Sequence, residues 1–174
     1  MSKVILLCGR IASGKTTYAS ALRRESGAVI LSCDELMLTL FDQCLGEKHD
    51  ETVARCSRYL NGVALQITAS GLDAVLDFGY WSRKEREAVR AFFVAHQVPV
   101  SLHYVRCEEA LRLKRLRERN RMLAHADHRV YLIGDELRER LDQKFEEPSE
   151  EEIDLIVETD HFPAPETGKE ERLF

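Results

Sequence analysis

The chain has 174 residues, a length typical of one domain, and an ordinary globular composition with 44% hydrophobic and 32% charged residues. A formal net charge of −5 argues against a protein coated in nucleic acid or anionic lipid, although it leaves room for a local basic groove. No apolar run approaches the ~18 residues of a membrane span. The five cysteines have no C-x-x-C spacing, which predicts buried, reduced thiols in a cytoplasmic protein.

The first predicted elements enclose a glycine-rich loop. Residues 4–8 predict a strand buried on both faces, and residues 16–24 contain no helix breaker and predict a helix. Between them, residues 9–16 read GRIASGKT, a full match to the phosphate-binding pattern G-x-x-x-x-G-K-[ST]. Such a loop turns its N–H groups toward an anion, and the helix N-terminus adds partial positive charge. The predicted triphosphate-binding residues are Gly9, Arg10, Ile11, Ala12, Ser13, Gly14, Lys15, Thr16 and Thr17.

Two residues of this loop have more specific predicted roles. Lys15 is expected to pair with the β and γ phosphates, and it is therefore a candidate catalytic residue. The Thr16 hydroxyl is expected to ligate Mg²⁺. The loop and its context therefore predict a binding site for a magnesium nucleoside triphosphate.

A second strand is predicted over residues 28–32, and Asp34 follows it closely. Because ligands of open α/β sheets bind at the carboxyl ends of the strands, Asp34 is expected at the same edge as the glycine-rich loop. Its carboxylate there could orient an attacking hydroxyl and accept its proton as a general base. Glu35 is a second candidate for that role. The alternative is that Asp34 caps a helix starting at Glu35.

The next segment ends in a candidate metal ligand. After a helical segment near residues 35–41 come a polar break at 46–50, a helix over 51–70 and a third strand over 72–78. Asp77 stands at the end of that strand, the position at which phosphate-loop enzymes carry the carboxylate that helps to hold Mg²⁺. The alternative is that Asp77 belongs to a turn or caps a helix. Residues 77–79 spell Asp-Phe-Gly, but the chain lacks the other protein-kinase motifs.

An arginine-rich helix follows the fourth strand. Ser82 and Glu85 form a capping-box pattern that starts a helix running to about residue 96, and residues 98–105 predict the fourth strand. The basic helix over 108–121 carries three arginines at helical spacing, Arg112, Arg115 and Arg119. A solvated charged face explains part of this run. Arg115 and Arg119 are the candidates for neutralising the transferring phosphoryl group, in a lid over about 112–130.

The remaining segments complete one α/β domain over residues 1–160. A loop is predicted at 122–129, whose histidines, His125 and His128, receive no role. A helix over 130–145, an acidic turn at 146–152 and a fifth strand over 153–158 follow, and residues 161–174 predict an extended tail. The alternation of strands and helices predicts a mainly parallel sheet covered by helices.

Several segments together resemble a known family. The segments GRIASGKTT, SCDEL, LDFGYWSRKERE and LRERN are similar to those of the P-loop kinase group that includes polynucleotide 5′-kinases, zeta-toxin-like kinases and chloramphenicol phosphotransferase. LDFGYWSR and FEEPSEEE resemble small stand-alone bacterial ATP-binding proteins of this group. The resemblance implies a three-layer fold with sheet order 2-3-1-4-5, Asp34 as general base and Arg119 as a lid arginine.

The sequence predicts an ATP-dependent kinase that acts on a hydroxyl of a small or nucleotide-like molecule, with ATP and Mg²⁺ as cofactors and no membrane partner. No N-K-x-D segment is present, which favours ATP over GTP. One alternative is an ATP-binding switch or ATPase that acts through a partner. Another is a polynucleotide 5′-hydroxyl kinase. The net charge argues against this last alternative, as do Glu35, Leu36 and Met37, which stand where polynucleotide kinases usually carry an arginine.

Overall fold

The protein is described from a computed structural model that covers residues 1–41, 45–123 and 133–162. The strands are β1 (Val4–Cys8), β2 (Val29–Ser32), β3 (Ala74–Gly79), β4 (Val100–Arg106) and β5 (Leu155–Glu158). The helices are α1 (Lys15–Ser26), α2 (Cys33–Leu40), α3 (His49–Ala69), α4 (Arg83–Ala95), α5 (Glu109–Leu123) and α6 (Asp135–Lys144).

The five strands form one parallel sheet in the order β2-β3-β1-β4-β5, which confirms the predicted order. The central strand β1 is buried along its whole length, in agreement with its apolar sequence. Its last residue, Cys8, pairs with Gly79 of β3 and Tyr104 of β4. The carboxyl ends of the three central strands therefore meet at one edge, where the loop after β1 begins.

Helices cover both faces of the sheet, as predicted. On one face, Leu6 and Leu76 belong to a core that includes Ala64 of α3 and Phe93 of α4. On the other, Ile5, Leu7 and Val75 pack against Ala19 of α1. A smaller cluster joins α2 to α3 and is formed by Cys33, Met37, Cys56 and Leu60. Side chains alternate between the faces of β1 because successive strand residues point in opposite directions, and this alternation produces the three layers.

Three strands begin two residues later than predicted, for a shared reason. The N–H groups of Leu72, Val98 and Ile153 donate to the carbonyls of Ile67, Phe93 and Glu150, respectively. These hydrogen bonds close the preceding helix or turn. The apolar side chains that favoured a strand at these positions therefore belong to the connections.

The predicted capping box at Ser82 and Glu85 is confirmed, with both reciprocal hydrogen bonds formed. The polar break at 46–50 is partly wrong, because a 3₁₀ turn at Gly46–Lys48 leads directly into α3 at His49. The last helix begins at Asp135, later than the predicted residue 130. The predictions for 124–130, with His125 and His128, and for the tail beyond residue 162 lie outside the described residues.

The described cysteines carry free thiols, and Cys8, Cys33 and Cys56 are buried, as predicted. Burial raises the pKa of the Cys8 and Cys33 thiols to about 11, so both stay protonated at neutral pH. Within the described ranges, none of the helices combines the length and the apolar character needed to cross a membrane.

Candidate functional site

The glycine-rich loop between β1 and α1 is held closely against its neighbours. A side chain at position 9 would collide with the backbone carbonyl of Val105 on β4. Gly14 adopts φ +97° directly before α1, and a Cβ there would lie 3.0 Å from the Thr159 hydroxyl oxygen. These contacts and this backbone conformation explain why the two positions are glycine. The loop consequently leads directly into α1 at Lys15, and the first N–H groups of a helix have no partner within the helix.

The Lys15 side chain folds back over the loop. Its Nζ donates to the carbonyl oxygens of Gly9 and Arg10, both at 2.9 Å. Burial lowers the pKa of Lys15, while the negative charges of Asp77 and Asp34 act in the opposite direction. The ammonium group is thus held beside the loop backbone and close to two carboxylates.

A residue that the sequence analysis did not select supports the loop from the far end of the chain. Thr159, directly after β5, is fully buried and donates from its hydroxyl to the Ser13 carbonyl at 2.6 Å. Arg115 of α5 donates to the Thr159 hydroxyl at 3.0 Å and to the Thr159 carbonyl at 2.7 Å. Arg115 therefore holds Thr159, the residue that contacts the loop. A contact between Arg115 and phosphate stays a prediction. The only sequence signal for Thr159 is its position after a predicted strand.

Thr16 and Asp77 meet at the sheet edge, as the metal-site prediction requires. The Thr16 hydroxyl donates to an Asp77 carboxylate oxygen at 2.9 Å, joining the first turn of α1 to the end of β3. Hydroxyl and carboxylate oxygens are hard ligands of the kind that Mg²⁺ prefers. Among the described residues there is no group of three or more His, Cys, Asp or Glu arranged to hold a metal. The pair thus fits a magnesium ion that takes its other ligands from phosphate and water.

Asp34 does not cap α2, so the alternative considered for it is wrong. The helix begins one residue earlier, at Cys33, and Ser32 is the N-cap, with its hydroxyl accepting from the Glu35 N–H at 3.2 Å. Asp34 is an exposed residue. Partial desolvation and the negative charge of Asp77 raise the pKa of Asp34, while the positive charges of Lys15 and Arg119 act to lower it. A carboxylate with a raised pKa is a better proton acceptor.

Arg119 lies at the same site, two turns along α5 from Arg112. Its Nε is buried and has no hydrogen-bond partner among the described residues. Burial lowers the pKa of Arg119, and the negative charge of Asp34 acts against this. The Ser13 hydroxyl of the glycine-rich loop is also buried without a described partner. Both groups can donate hydrogen bonds to an anion bound between α5 and the loop.

Arg112, on the same face of α5, is not part of a solvated surface. It is 2% exposed, and it donates to Glu109 and Asp142 at 2.7 Å each and to the Ile11 carbonyl at 3.2 Å. This ion pair joins α5 and α6 to the glycine-rich loop. The structural role of Arg112 was not predicted, because two of its partners, Asp142 and the Ile11 carbonyl, lie 30 and 101 residues away in the chain.

Several solved structures have folds similar to that of this chain. Kti12 from Chaetomium thermophilum, in complex with ADP-AlF3, has a TM-score of 0.68 and 18% identity, covering 91% of this chain and 89% of that chain. The APS kinase CysC of Mycobacterium tuberculosis, in complex with AMPPNP and APS, has a TM-score of 0.66 and 18% identity. The match covers 91% of this chain and 89% of that chain. A sugar kinase from Janibacter sp. HTCC2649 has a TM-score of 0.61 and 18% identity. The match covers 91% of this chain and 86% of that chain. At these identities the likeness shows the fold.

A search of curated protein sequences found no match. A family model described as an AAA domain matches residues 4–148, which include the glycine-rich loop, Asp34, Asp77 and Arg119. Since this match spans most of the 174 residues, the chain belongs to that AAA domain family and has a P-loop kinase-like fold.

Proposed function

We propose that the protein is a phosphotransferase that transfers the γ-phosphoryl group of ATP to a hydroxyl of a small molecule. The observation that carries the proposal is the position of Asp34, two residues after Ser32, which caps the helix and pairs with Asp77 across β2 and β3. The charges of Asp77, Lys15 and Arg119 all act on the pKa of this carboxylate. A carboxylate beside a phosphate-binding loop, with no structural role in capping, is suited to accept a proton.

In this reaction the acceptor oxygen attacks the γ phosphorus, and the bond to the oxygen bridging the β and γ phosphorus atoms breaks. ADP leaves, and Asp34 accepts the proton of the attacking hydroxyl. Lys15 and the N–H groups of the loop would bind the phosphates, and Thr16 and Asp77, which are already paired with each other, would hold the magnesium ion. When bound, Mg²⁺ neutralises charge on the phosphate oxygens.

Two unpartnered donors support an anionic ligand at this position. The Arg119 Nε and the Ser13 hydroxyl are buried without described partners, and an unpartnered buried donor costs about 1–3 kcal/mol. A triphosphate would supply acceptor oxygens for both. Arg119, rather than Arg115, is therefore the arginine that we assign to the transferring phosphoryl group, since Arg115 is bonded to Thr159.

The proteins of similar fold include kinases of small molecules and also the Pnkp1/Rnl/Hen1 RNA repair complex, so they leave the kind of acceptor open. Among proteins of similar fold, one is described as a sugar kinase and another is an APS kinase bound to AMPPNP and APS. The net charge of −5 makes a large polyanionic acceptor unfavourable. We therefore place the acceptor among small hydroxyl-bearing molecules.

The test is transfer from radiolabelled ATP with Mg²⁺ to a panel of neutral sugars and polyols, sugar acids, nucleosides, adenosine 5′-phosphosulfate and 5′-hydroxyl oligonucleotides. We expect a labelled small molecule from the wild type and a rate lower by about 10²–10⁴-fold from Asp34→Asn, with ATP affinity nearly unchanged. Glu35→Gln removes the second candidate base, an exposed carboxylate in the same helix turn, and is expected to leave the rate unchanged.

Three results would contradict this assignment. Asp34→Asn transferring phosphate at the wild-type rate would remove the general base. ATP binding or slow hydrolysis with no labelled acceptor in the panel would favour the nucleotide switch, and a labelled oligonucleotide would favour the end kinase.

A further inference from the structure

The tip of the glycine-rich loop, residues 10 and 11, is attached to α6 by side chains. One carboxylate oxygen of Asp142 on α6 lies 3.9 Å from Arg10 Nη1, and the other accepts from Arg112 Nη2 at 2.7 Å. The buried Arg112 also donates from Nη1 to the Ile11 carbonyl at 3.2 Å. A single carboxylate is therefore connected to both tip residues, directly at Arg10 and through Arg112 at Ile11.

The C-terminal end of α6 is fixed to the sheet. Phe145, directly after the helix, is 9% exposed, and its ring stacks on that of Tyr104 of β4 with 6.3 Å between centroids. The Glu146 N–H donates to the Trp81 carbonyl at 2.8 Å. The Arg10 guanidinium lies over the Phe145 ring, 5.4 Å from its centroid, which is within the range of a cation–π contact. The end of α6 therefore offers the loop tip a firmly placed support.

The loop tip needs such a support because the backbone beside it is strained. Ala12 has a φ of +61°, in the left-handed region that residues other than glycine rarely adopt. A conformation of this kind persists where the surrounding structure holds it in place. The hydrogen bond within the loop, from the Ser13 N–H to the Arg10 carbonyl, is 3.2 Å long, at the upper end of the ordinary range. The contacts from Arg112 and Asp142 therefore add restraint where the loop's own hydrogen bond is weak.

The loop tip also sets the position of Lys15. The Arg10 carbonyl accepts from Lys15 Nζ at 2.9 Å, in addition to the Ser13 N–H. A displacement of the tip would move this carbonyl and, with it, the ammonium group that is expected to pair with the phosphates. Binding and transfer of a phosphoryl group depend mainly on such positioning. The support from α6 therefore reaches the group on which triphosphate binding depends.

We propose that Asp142 is a positioning residue of the ATP site. It holds the loop tip through Arg10 and Arg112, and thereby fixes the carbonyl that orients Lys15. Its effect on ATP is exerted through these two arginines. The inference rests on the proposed function for ATP binding at the loop, but it does not require transfer to an acceptor, so it can be tested with nucleotide alone.

The first experiment measures, by calorimetry with Mg²⁺, the affinity for a non-hydrolysable ATP analogue. Asp142→Asn should weaken binding about fivefold, the scale of coupling between residues in one ion-pair network. The sign is informative, because removal of a negative charge near an anion would by itself strengthen binding. Glu136→Gln removes a carboxylate of the same helix that is 87% exposed and pairs with Arg140, and it should leave the affinity unchanged.

Three results of this experiment count against the proposal. Unchanged or stronger binding by Asp142→Asn overturns it, and so does equal weakening by Glu136→Gln. In an Arg10→Met background, Asp142→Asn should weaken binding by a smaller factor than it does alone, because one of its two connections to the tip is gone. An equal factor in both backgrounds overturns the route through Arg10.

The second experiment follows hydrogen exchange of the backbone amides in residues 137–146, without nucleotide and with the same analogue. Because energetic coupling between two sites is reciprocal, binding at the loop should slow exchange in this segment in the wild type and Glu136→Gln, but not in Asp142→Asn. If Asp142 only stabilises α6, exchange in Asp142→Asn is faster but is still slowed by the analogue, and this result overturns the proposal. The absence of slowing in the wild type overturns it as well.

The two failures can be told apart. A wild type that binds no nucleotide overturns the proposed function together with this inference. A wild type that binds the analogue, with the same affinity in Asp142→Asn, overturns the positioning role alone.

Discussion

A buried histidine makes the stability of the fold depend on pH. His103 lies on β4 and is 5% exposed, with its Nδ1 at 2.8 Å from the Tyr18 hydroxyl and its Nε2 at 3.0 Å from the Ser101 hydroxyl. Burial lowers its pKa from 6.5 to about 4, and Lys3 contributes in the same direction against Asp154. The imidazole is therefore neutral in the folded protein over the range where the unfolded chain becomes protonated.

The size of the effect follows from the two pKa values. Because the folded pKa is the lower one, the contribution of His103 is complete above pH 6.5 and is lost as the pH falls toward 4. At pH 5 the linkage relation gives about 2 kcal/mol. Residual solvent around the ring reduces this value, so we expect a loss of about 1–2 kcal/mol between pH 7.5 and pH 5.

The assay is urea unfolding at pH 7.5 and pH 5.0 for the wild type and His103→Gln. The wild type should lose more unfolding free energy than the variant by about 1–2 kcal/mol. Asp34, whose pKa is raised, acts in the opposite direction but is present in both proteins, so it cancels in the difference. An equal loss in both proteins would refute the reasoning, whatever the absolute stability of His103→Gln.

Two further substitutions test the site and its support. In calorimetry, Asp77→Asn should weaken ATP binding in the presence of Mg²⁺ far more than ATP binding in EDTA. Asp73→Asn, just before the start of the same strand, should not show this difference. Equal weakening by Asp77→Asn in both conditions would make Asp77 a structural residue. Arg112→Met should lower the free energy of unfolding by about 2–3 kcal/mol, because it leaves Asp142 without its main cation. Arg106→Met is the control: it breaks a half-exposed ion pair with Glu158 and should lower the free energy of unfolding by under about 1 kcal/mol. Similar losses for these two arginine variants would contradict the anchoring role of Arg112.

Much of the fold could be predicted because its signals are local. The apolar run of β1, the glycine pattern after it and the capping box at Ser82 each occupy a few adjacent residues. The order of the strands came from the family resemblance, since the alternation of strands and helices indicates a parallel sheet without ordering it. The structure confirms the order.

The candidate site was harder to predict wherever a residue depends on a distant partner. Serine caps helices as well as aspartate does, and the cap alternative considered for Asp34 overlooked Ser32. The hydrogen bond from the Glu35 N–H to the Ser32 hydroxyl makes Ser32 the cap. Helical spacing placed Arg112 and Arg115 on one face, but their partners come from α6 and from the residues after β5. Nothing in the letters Gly-Tyr-Trp predicts that both Gly79 and Tyr80 adopt positive φ values, +84° and +43°.

The contact between Thr159 and the loop at Ser13 also constrains when the site can form during synthesis. The two residues are 146 positions apart, so the loop leaves the ribosome long before its support. β1 also needs β3 and β4 beside it, and both are translated later. The energy of ATP binding can therefore stabilise the fully assembled loop only after β5 has joined the sheet, and the earlier stages of folding proceed without that contribution.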